Sequence, residues 1–201
     1  MFERAAIILA AGLSRRMGAV NKLLIEFDGV PMIRRAVQTC VDLCDGPVTV
    51  VTGYQAKAIE HALNGLAVNF AFNPHYEAGQ KTSVAAGLVA TPDARATLIV
   101  LGDQPLLTAG HLSWLLTQHH QNDGPCITVP VQGDTHGNPL IIPHALKPRL
   151  LADRNNPGCQ RFTRENPQLV QRVAATDPAF YSDIDTPEDL KTLQDSQANT
   201  G

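Results

Sequence analysis

The 201-residue sequence has no long hydrophobic run: its apolar stretches fall far short of the ~20 residues a spanning helix needs. Its start, MFERAAIILAAG, lacks a basic leader region and a cleavable apolar segment, so the chain is expected to stay in the cytoplasm. An excess of one charge is also missing. Sixteen Lys and Arg against nineteen Asp and Glu give a formal net charge of -3, which offers no general attraction to nucleic acid or to an anionic membrane. Any charge that grips a phosphate must therefore be local. Cysteine is scarce, and Cys40, Cys44, Cys126 and Cys159 are too scattered for a disulfide scaffold. Cys40 and Cys44 lie four apart in an apolar-periodic segment, which predicts one buried helix face; a zinc site would need a second ligand pair. Aromatic residues make up 5%, leaving few candidates to stack on a flat ligand. Repeats and charge blocks are absent, and 44% hydrophobic with 17% charged residues excludes a disordered chain or a solenoid. At this length folding hides roughly 70% of the unfolded surface. A single domain over residues 1–195 is expected, with 196–201 fraying.

Short buried-strand runs alternate with helix-period segments. Ala6–Leu9, Val48–Val51, Val68–Phe72, Leu98–Leu101 and Ile127–Val131 read as strands. Met32, Ile33, Ala36, Val37, Cys40 and Val41 trace one helix face, and Ala56–Leu63, Ser83–Val89 and Leu112–Leu116 suggest further helices. A βαβα order covers both faces of a mostly parallel sheet and binds ligands beyond the carboxyl ends of its strands. Later, Gly133–Asn138 reads as a turn, Leu140–Ile142 as a strand and Asp153–Pro167 as a loop or broken helix. A capped final helix follows Thr186.

The loops after those strands carry the chemistry. Leu9-Ala10-Ala11-Gly12-Leu13-Ser14-Arg15-Arg16-Met17-Gly18, then Asn21-Lys22, follows the first strand. Small residues let backbone N–H groups approach phosphate, Arg offers a planar fork of donors, and Lys adds a point charge. The spacing fits neither the dinucleotide pattern G-x-G-x-x-G nor the Walker loop. A nicotinamide-dependent oxidoreductase would also place an acid after strand two, where Thr52-Gly53-Tyr54 stands. Asp103, in Gly102-Asp103-Gln104-Pro105, ends a buried strand at the ligand edge. Magnesium needs only one or two carboxylates beside phosphates and water, and Asp185 is the expected partner, with Asp183 on the same side of an extended segment. His119 and His120 are adjacent, so they face apart on a helix and make no ligand pair.

Taken together and in order, LAAGLSRRMG, NKLL, VTGY, NPHYEAGQKTSVAAGL, GDQPLL, GNPL and DIDTPEDL resemble the MobA-like nucleotidyltransferases across nearly the whole chain. The LAAG form, the VTGY segment and Gly79-x-x-x-Ser83 are most similar to the molybdenum cofactor cytidylyltransferase branch. The resemblance implies a three-layer, Rossmann-like α/β fold. It also implies in-line transfer of a nucleoside monophosphate, with Mg2+, from a triphosphate to a phosphorylated acceptor. CTP is the expected donor, Ala11 implying a pyrimidine, and molybdopterin the expected acceptor. It places Arg16, Lys22 and Asp103 in catalysis, and Asp103 with Asp185 on the metal. Leu9, Ala10, Ala11, Gly12, Ser14, Arg15, Thr52, Gly53, Asn73, Gly79 and Ser83 are expected around the nucleotide. It puts His136, Asn138 and Arg161 at the acceptor. The run Gly158–Arg161 resembles a Gly-Asp-x-Gly-Ala-Arg element without its aspartate, with Asn155 and Asn156 nearby. A transient contact with a molybdoenzyme or its chaperone is implied, and no nucleic acid or membrane partner. Guanylyl transfer, a sugar or alcohol phosphate acceptor, and a non-catalytic cofactor-binding module remain as alternatives, the last opposed by the intact Arg16, Lys22 and Asp103.

Overall fold

A computed structural model describes residues 1–18, 20–121, 124–152 and 159–198. Its strands are β1 (Phe2–Ala10), β2 (Glu26–Phe27), β3 (Val30–Pro31), β4 (Val48–Thr52), β5 (Asn69–Phe72), β6 (Ala94–Leu101), β7 (Ile127–Gln132), β8 (Thr135–His136), β9 (Leu140–Pro143) and β10 (Val170–Ala174). Its helices are α1 (Met32–Leu43), α2 (Ala56–Ala62), α3 (Gln80–Ala90), α4 (Ala109–His120), α5 (Lys147–Ala152), α6 (Cys159–Glu165) and α7 (Pro187–Ala198).

Side chains alternate along a strand, so the continuous apolar run of β1 feeds two cores. Ala6, Ile8 and Ala10 enter a cluster with Ile33 and Val37 of α1, Ile59 of α2 and Leu112 of α4. Ile7 and Leu9 enter another with Val84 and Leu88 of α3, Leu150 of α5 and Cys159 of α6. Two buried faces require two helical covers, and the result is the expected three-layer α/β fold. Cys40 is buried in the first cluster with Cys44 packed against it, and all four cysteines are free.

The main sheet runs β10-β7-β9-β6-β1-β4-β5, with β8 attached to β7. β1 is parallel to β4 and β6, and β4 to β5, while β9 runs antiparallel to both β6 and β7. That double reversal returns β7, and β10 parallel to it, to the direction of β1. The carboxyl ends of β10, β7, β6, β1, β4 and β5 therefore share one edge, and β9 alone of these strands runs the other way. Ala10 pairs with Thr52 and Leu9 with Leu101, so Ala11, Gly53 and Gly102 leave the sheet side by side.

One expectation needs correction: Gly133–Asn138 contains the short strand β8, held by the Val131–His136 pairing. Within 153–167, expected as a loop or broken helix, Cys159–Glu165 forms α6, and positions 153–158, with Asn155, Asn156 and Gly158, lie outside the described residues. The final helix runs to Ala198, and 199–201 lie outside the described residues. Among the described residues no helix is long and apolar enough to cross a membrane.

Candidate active site

The loop after β1 is pinned from within. Ser14 takes a left-handed backbone (φ 50°), and its Oγ accepts a hydrogen bond from the Lys22 amide at 3.2 Å. Buried Asn21 accepts from the Leu23 amide at 3.1 Å and caps the turn Lys22–Leu24. Leu23 is sunk in the core, so its neighbour Lys22 has a fixed stem and an ammonium aimed at the sheet edge. Asp103 reaches the same place through Gly102. A Cβ on Gly102 would stand 2.8 Å from Ile33 Cδ1 and 3.2 Å from the Leu9 carbonyl, so a side chain there would crowd both.

Four charges converge there. Lys22 Nζ contacts Asp103 Oδ2 and donates to Asp185 Oδ1 at 2.7 Å, while Arg16 donates to Asp185 Oδ2 at 2.6 Å. Burial alone would lower the Lys22 pKa, but the two carboxylates outweigh it and hold the ammonium above its usual value. The Lys22 and Arg16 hydrogen bonds and charges hold Asp185 below the usual carboxylate range. Burial pushes Asp103 up, against the pull of Lys22 and with a further push from Asp183. Both oxygens of Asp185 are engaged by cations; Asp103 Oδ1 is buried without a partner. A hard divalent ion fits that orphan oxygen, because its ligand set is oxygen and phosphates supply the remainder. Among the described residues no group of three or more His, Cys, Asp or Glu could hold a metal unaided.

A strap, residues 177–185, brings Asp185 to the site. Asp177 accepts from the Ala179 amide at 2.9 Å and contacts His111 Nε2 at 3.2 Å. The Phe180 carbonyl accepts from the Asn138 amide at 2.8 Å and from Gln104 Nε2 at 3.3 Å. Gly137 lies so close that a Cβ would meet that carbonyl at 2.7 Å. The Ile184 amide then donates to the Asp103 carbonyl at 3.0 Å, and Asp189 caps the next helix by accepting from the Thr186 amide at 2.7 Å. One strap thus joins the carboxylate turn, the Gly137-Asn138 loop and Asp185.

Two chambers flank the strap. The first, about 530 Å³, is lined by Leu9, Ala11, Gly12, Ser14, Arg15, Arg16, Lys22, Gly79, Ser83, Asp103 and Asp185 from the expected set. Leu13, Tyr76, Glu77, Gln80, Leu101 and Asp183 join them; of these the sequence singled out only Asp183. Gln80 directly follows Gly79, whose φ of 101° bends the chain into α3, and that glycine was the available signal. Four expected nucleotide residues stand behind the wall. Ala10 points into the opposite core, and Thr52 is fully buried. Asn73 donates to Ser83 Oγ at 3.1 Å and to Thr82 Oγ1 at 2.9 Å, so it places Ser83. Gly53 makes room: a Cβ there would stand 2.6 Å from Tyr76 Cβ and 2.9 Å from Ala11 Cβ. His136, Asn138 and Arg161 line the second chamber, about 520 Å³, which shares Gln80 with the first. His119 sits elsewhere, bonded to Thr128 Oγ1 at 2.7 Å.

Residues 6–173 match the family model described as the MobA-like NTP transferase domain. The chain belongs to that family. Nucleotidyl transfer is therefore its class of chemistry, as the loop after β1 and Asp103 anticipated, although Asp183 and Asp185 lie beyond the matched stretch. This MobA-like chain is 28% identical over 196 residues to the molybdenum cofactor cytidylyltransferase of Escherichia coli K12, covering 94% of each. It is 26% identical over 198 residues to the nicotine blue oxidoreductase of Paenarthrobacter nicotinovorans, covering 93% of this chain and 94% of that one. A nucleotidyl transferase from Methanothermobacter thermautotroptrophicus superposes with a TM-score of 0.82 at 24% identity, covering 99% of both chains. Rv0371C of Mycobacterium tuberculosis, in complex with manganese, superposes at 0.74 with 21% identity, covering 96% of this chain and 98% of that one. At these identities the two structures speak for the fold alone.

Proposed function

We propose that this enzyme transfers CMP from CTP to a phosphorylated acceptor, molybdopterin, with Mg2+ as the metal. The observation that carries the reading is the Lys22 ammonium held between Asp103 and Asp185, with Arg16 beside it, at a cleft bounded by the small-residue loop after β1. The family model carries the class of chemistry, while likeness to single relatives is mixed, one of them bearing an oxidoreductase name. A cluster of cations and carboxylates suits a metal-bound triphosphate.

In this reading Leu9, Ala11 and Gly12 pack against the nucleoside, Gly79 and Ser83 meet the base, and Ser14 and Arg15 border the phosphates. Ala10, Thr52, Gly53 and Asn73 act behind them by holding the wall in place. Arg16 and Lys22 leave Asp185 for the triphosphate and neutralise the charge that grows on departing pyrophosphate. Asp103 and Asp185, with Asp183 in reach, would hold the metal. The bound ion supplies Lewis-acid polarisation of the phosphates.

An acceptor phosphate oxygen attacks the α-phosphorus; the new P–O bond forms as the bond to pyrophosphate breaks. A phosphate monoester is already anionic at neutral pH, its second pKa being about 6, so no general base is needed. The chain's contribution is alignment, with Gln80 at the junction of the two chambers and His136, Asn138 and Arg161 around the acceptor. The reaction belongs to the cytoplasm, and the product passes in a transient contact to a molybdoenzyme or its chaperone.

Calorimetric titration of CTP, GTP, ATP and UTP, with magnesium and after chelation, tests the donor. Pyrophosphate release on adding molybdopterin tests the acceptor. Metal-dependent CTP binding followed by release supports the reading. Preference for GTP changes the branch, and no triphosphate binding at all sinks it.

A further inference from the structure

Three cavities open in series along one face of the sheet. The nucleotide cleft meets the second chamber at Gln80, and that chamber shares His136, Gln160, Thr163 and Arg164 with a third cavity of about 400 Å³. The third cavity adds Pro167, Val170 and Arg172. Gln160, Thr163 and Arg164 are spaced i, i+3, i+4 on α6, so they form one side of a continuous trough. Its floor is the sheet. Ile99 and Val129 line the chamber, and Arg172 pairs with Val129 in parallel register, so it leaves the sheet on the same face.

The character of the trough changes outward. The inner floor is apolar. The outer end carries exposed Arg164 and Arg172, neither of whose guanidinium groups has a hydrogen bond or ion pair among the described residues. Arg161, nearer the centre, is held by Glu165 at 2.6 Å. Two guanidinium groups without counter-charges, at the end of a cavity that continues from the acceptor chamber, form a site shaped for an anion.

We propose that this outer cavity is a second anion subsite, in which Arg164 and Arg172 take a distal anionic group of the acceptor. The inference rests on reading the second chamber as the acceptor pocket. It defines the acceptor as a molecule that carries a second anionic group besides the reacting phosphate, the phosphate lying inward and the second anion outward. A sugar monophosphate would leave both arginines unused.

The test is binding of anilinonaphthalene sulfonate, which has a flat apolar body and one anionic group, to the full chain without nucleotide. Phenylnaphthylamine, the same body without the sulfonate, is the control. In Arg164→Gln/Arg172→Gln the sulfonate should bind roughly fivefold to twentyfold more weakly, as expected when charge-assisted contacts are lost at an exposed site. Phenylnaphthylamine should change less than twofold, with the thermal midpoint unchanged. Equal sulfonate affinity in the two proteins, or equal weakening of both probes, overturns the subsite. An octaglutamate peptide that displaces the sulfonate where millimolar pyrophosphate fails assigns the trough to an acidic protein partner and also overturns it. Because no nucleotide is present, a chain that fails to bind CTP disproves the cleft reading and leaves this measurement intact.

Discussion

Lys22→Met removes an ammonium and leaves its stem, and the cost falls unequally on the two carboxylates. Asp185 keeps Arg16 at 2.6 Å. Asp103 keeps no cation: Lys22 is the one on its Oδ2, Oδ1 is already orphaned, and its side chain is only 14% exposed. Breaking a buried pair by removing one partner costs about 3–5 kcal/mol, and this pair, at the edge of a cleft, belongs at about 3. With a urea m-value of about 2 kcal/mol/M, the unfolding midpoint at pH 7, free of metal and nucleotide, should fall by roughly 1.5 M. The double variant Lys22→Met/Asp103→Asn should recover about 2 kcal/mol of that loss, because it removes the stranded charge as well. Magnesium should stabilise the single variant more than the wild type. A single variant within about 0.5 kcal/mol of wild type, or a double variant no more stable than the single one, would refute the reasoning.

Asp103→Asn should lower metal-dependent nucleotidyl transfer at least about 100-fold in steady-state pyrophosphate release while the fold survives; wild-type turnover removes Asp103 from the metal site. Gly53→Ala should displace Tyr76 and weaken CTP binding about tenfold by calorimetry, since its Cβ would stand 2.6 Å from Tyr76 Cβ; unchanged affinity means the cleft wall yields freely. Burial, aided by His120, holds His119 down at about 4 against an ordinary 6.5. The unfolded chain therefore binds that proton first as pH falls: stability is full above 6.5 and drains toward 4. Urea melts should show a loss of about 1–2 kcal/mol over that window, discounted for partial exposure, that His119→Gln lacks. Identical acid limbs in the two proteins count against it.

Strands buried on both faces announce themselves as unbroken apolar runs, and β1, β4, β6, β7 and β9 were legible for that reason, while β5, an exposed edge, was legible from its β-rich composition. Val170–Ala174 was not. Its valines lie three apart, an arginine faces outward, and the ladder to β7 holds it as an edge. In the cleft, Arg16, Lys22, Asp103 and Asp185 were legible because charge after a buried strand, or before a capped helix, has few structural uses. Ala10 and Thr52 end their strands and face inward, since alternation along a strand sends every second residue away from the ligand edge, while Gly53 and Asn73, just beyond β4 and β5, shape the wall from behind. Tyr76 and Gln80 carry no charge and entered the cleft unannounced through the turn at Gly79.

The contacts from Lys22 and Arg16 to Asp185 span 163 and 169 positions of the chain. A chain cut short before the strap therefore lacks Asp185, and on the proposed reading loses one of the two carboxylates that would hold the metal.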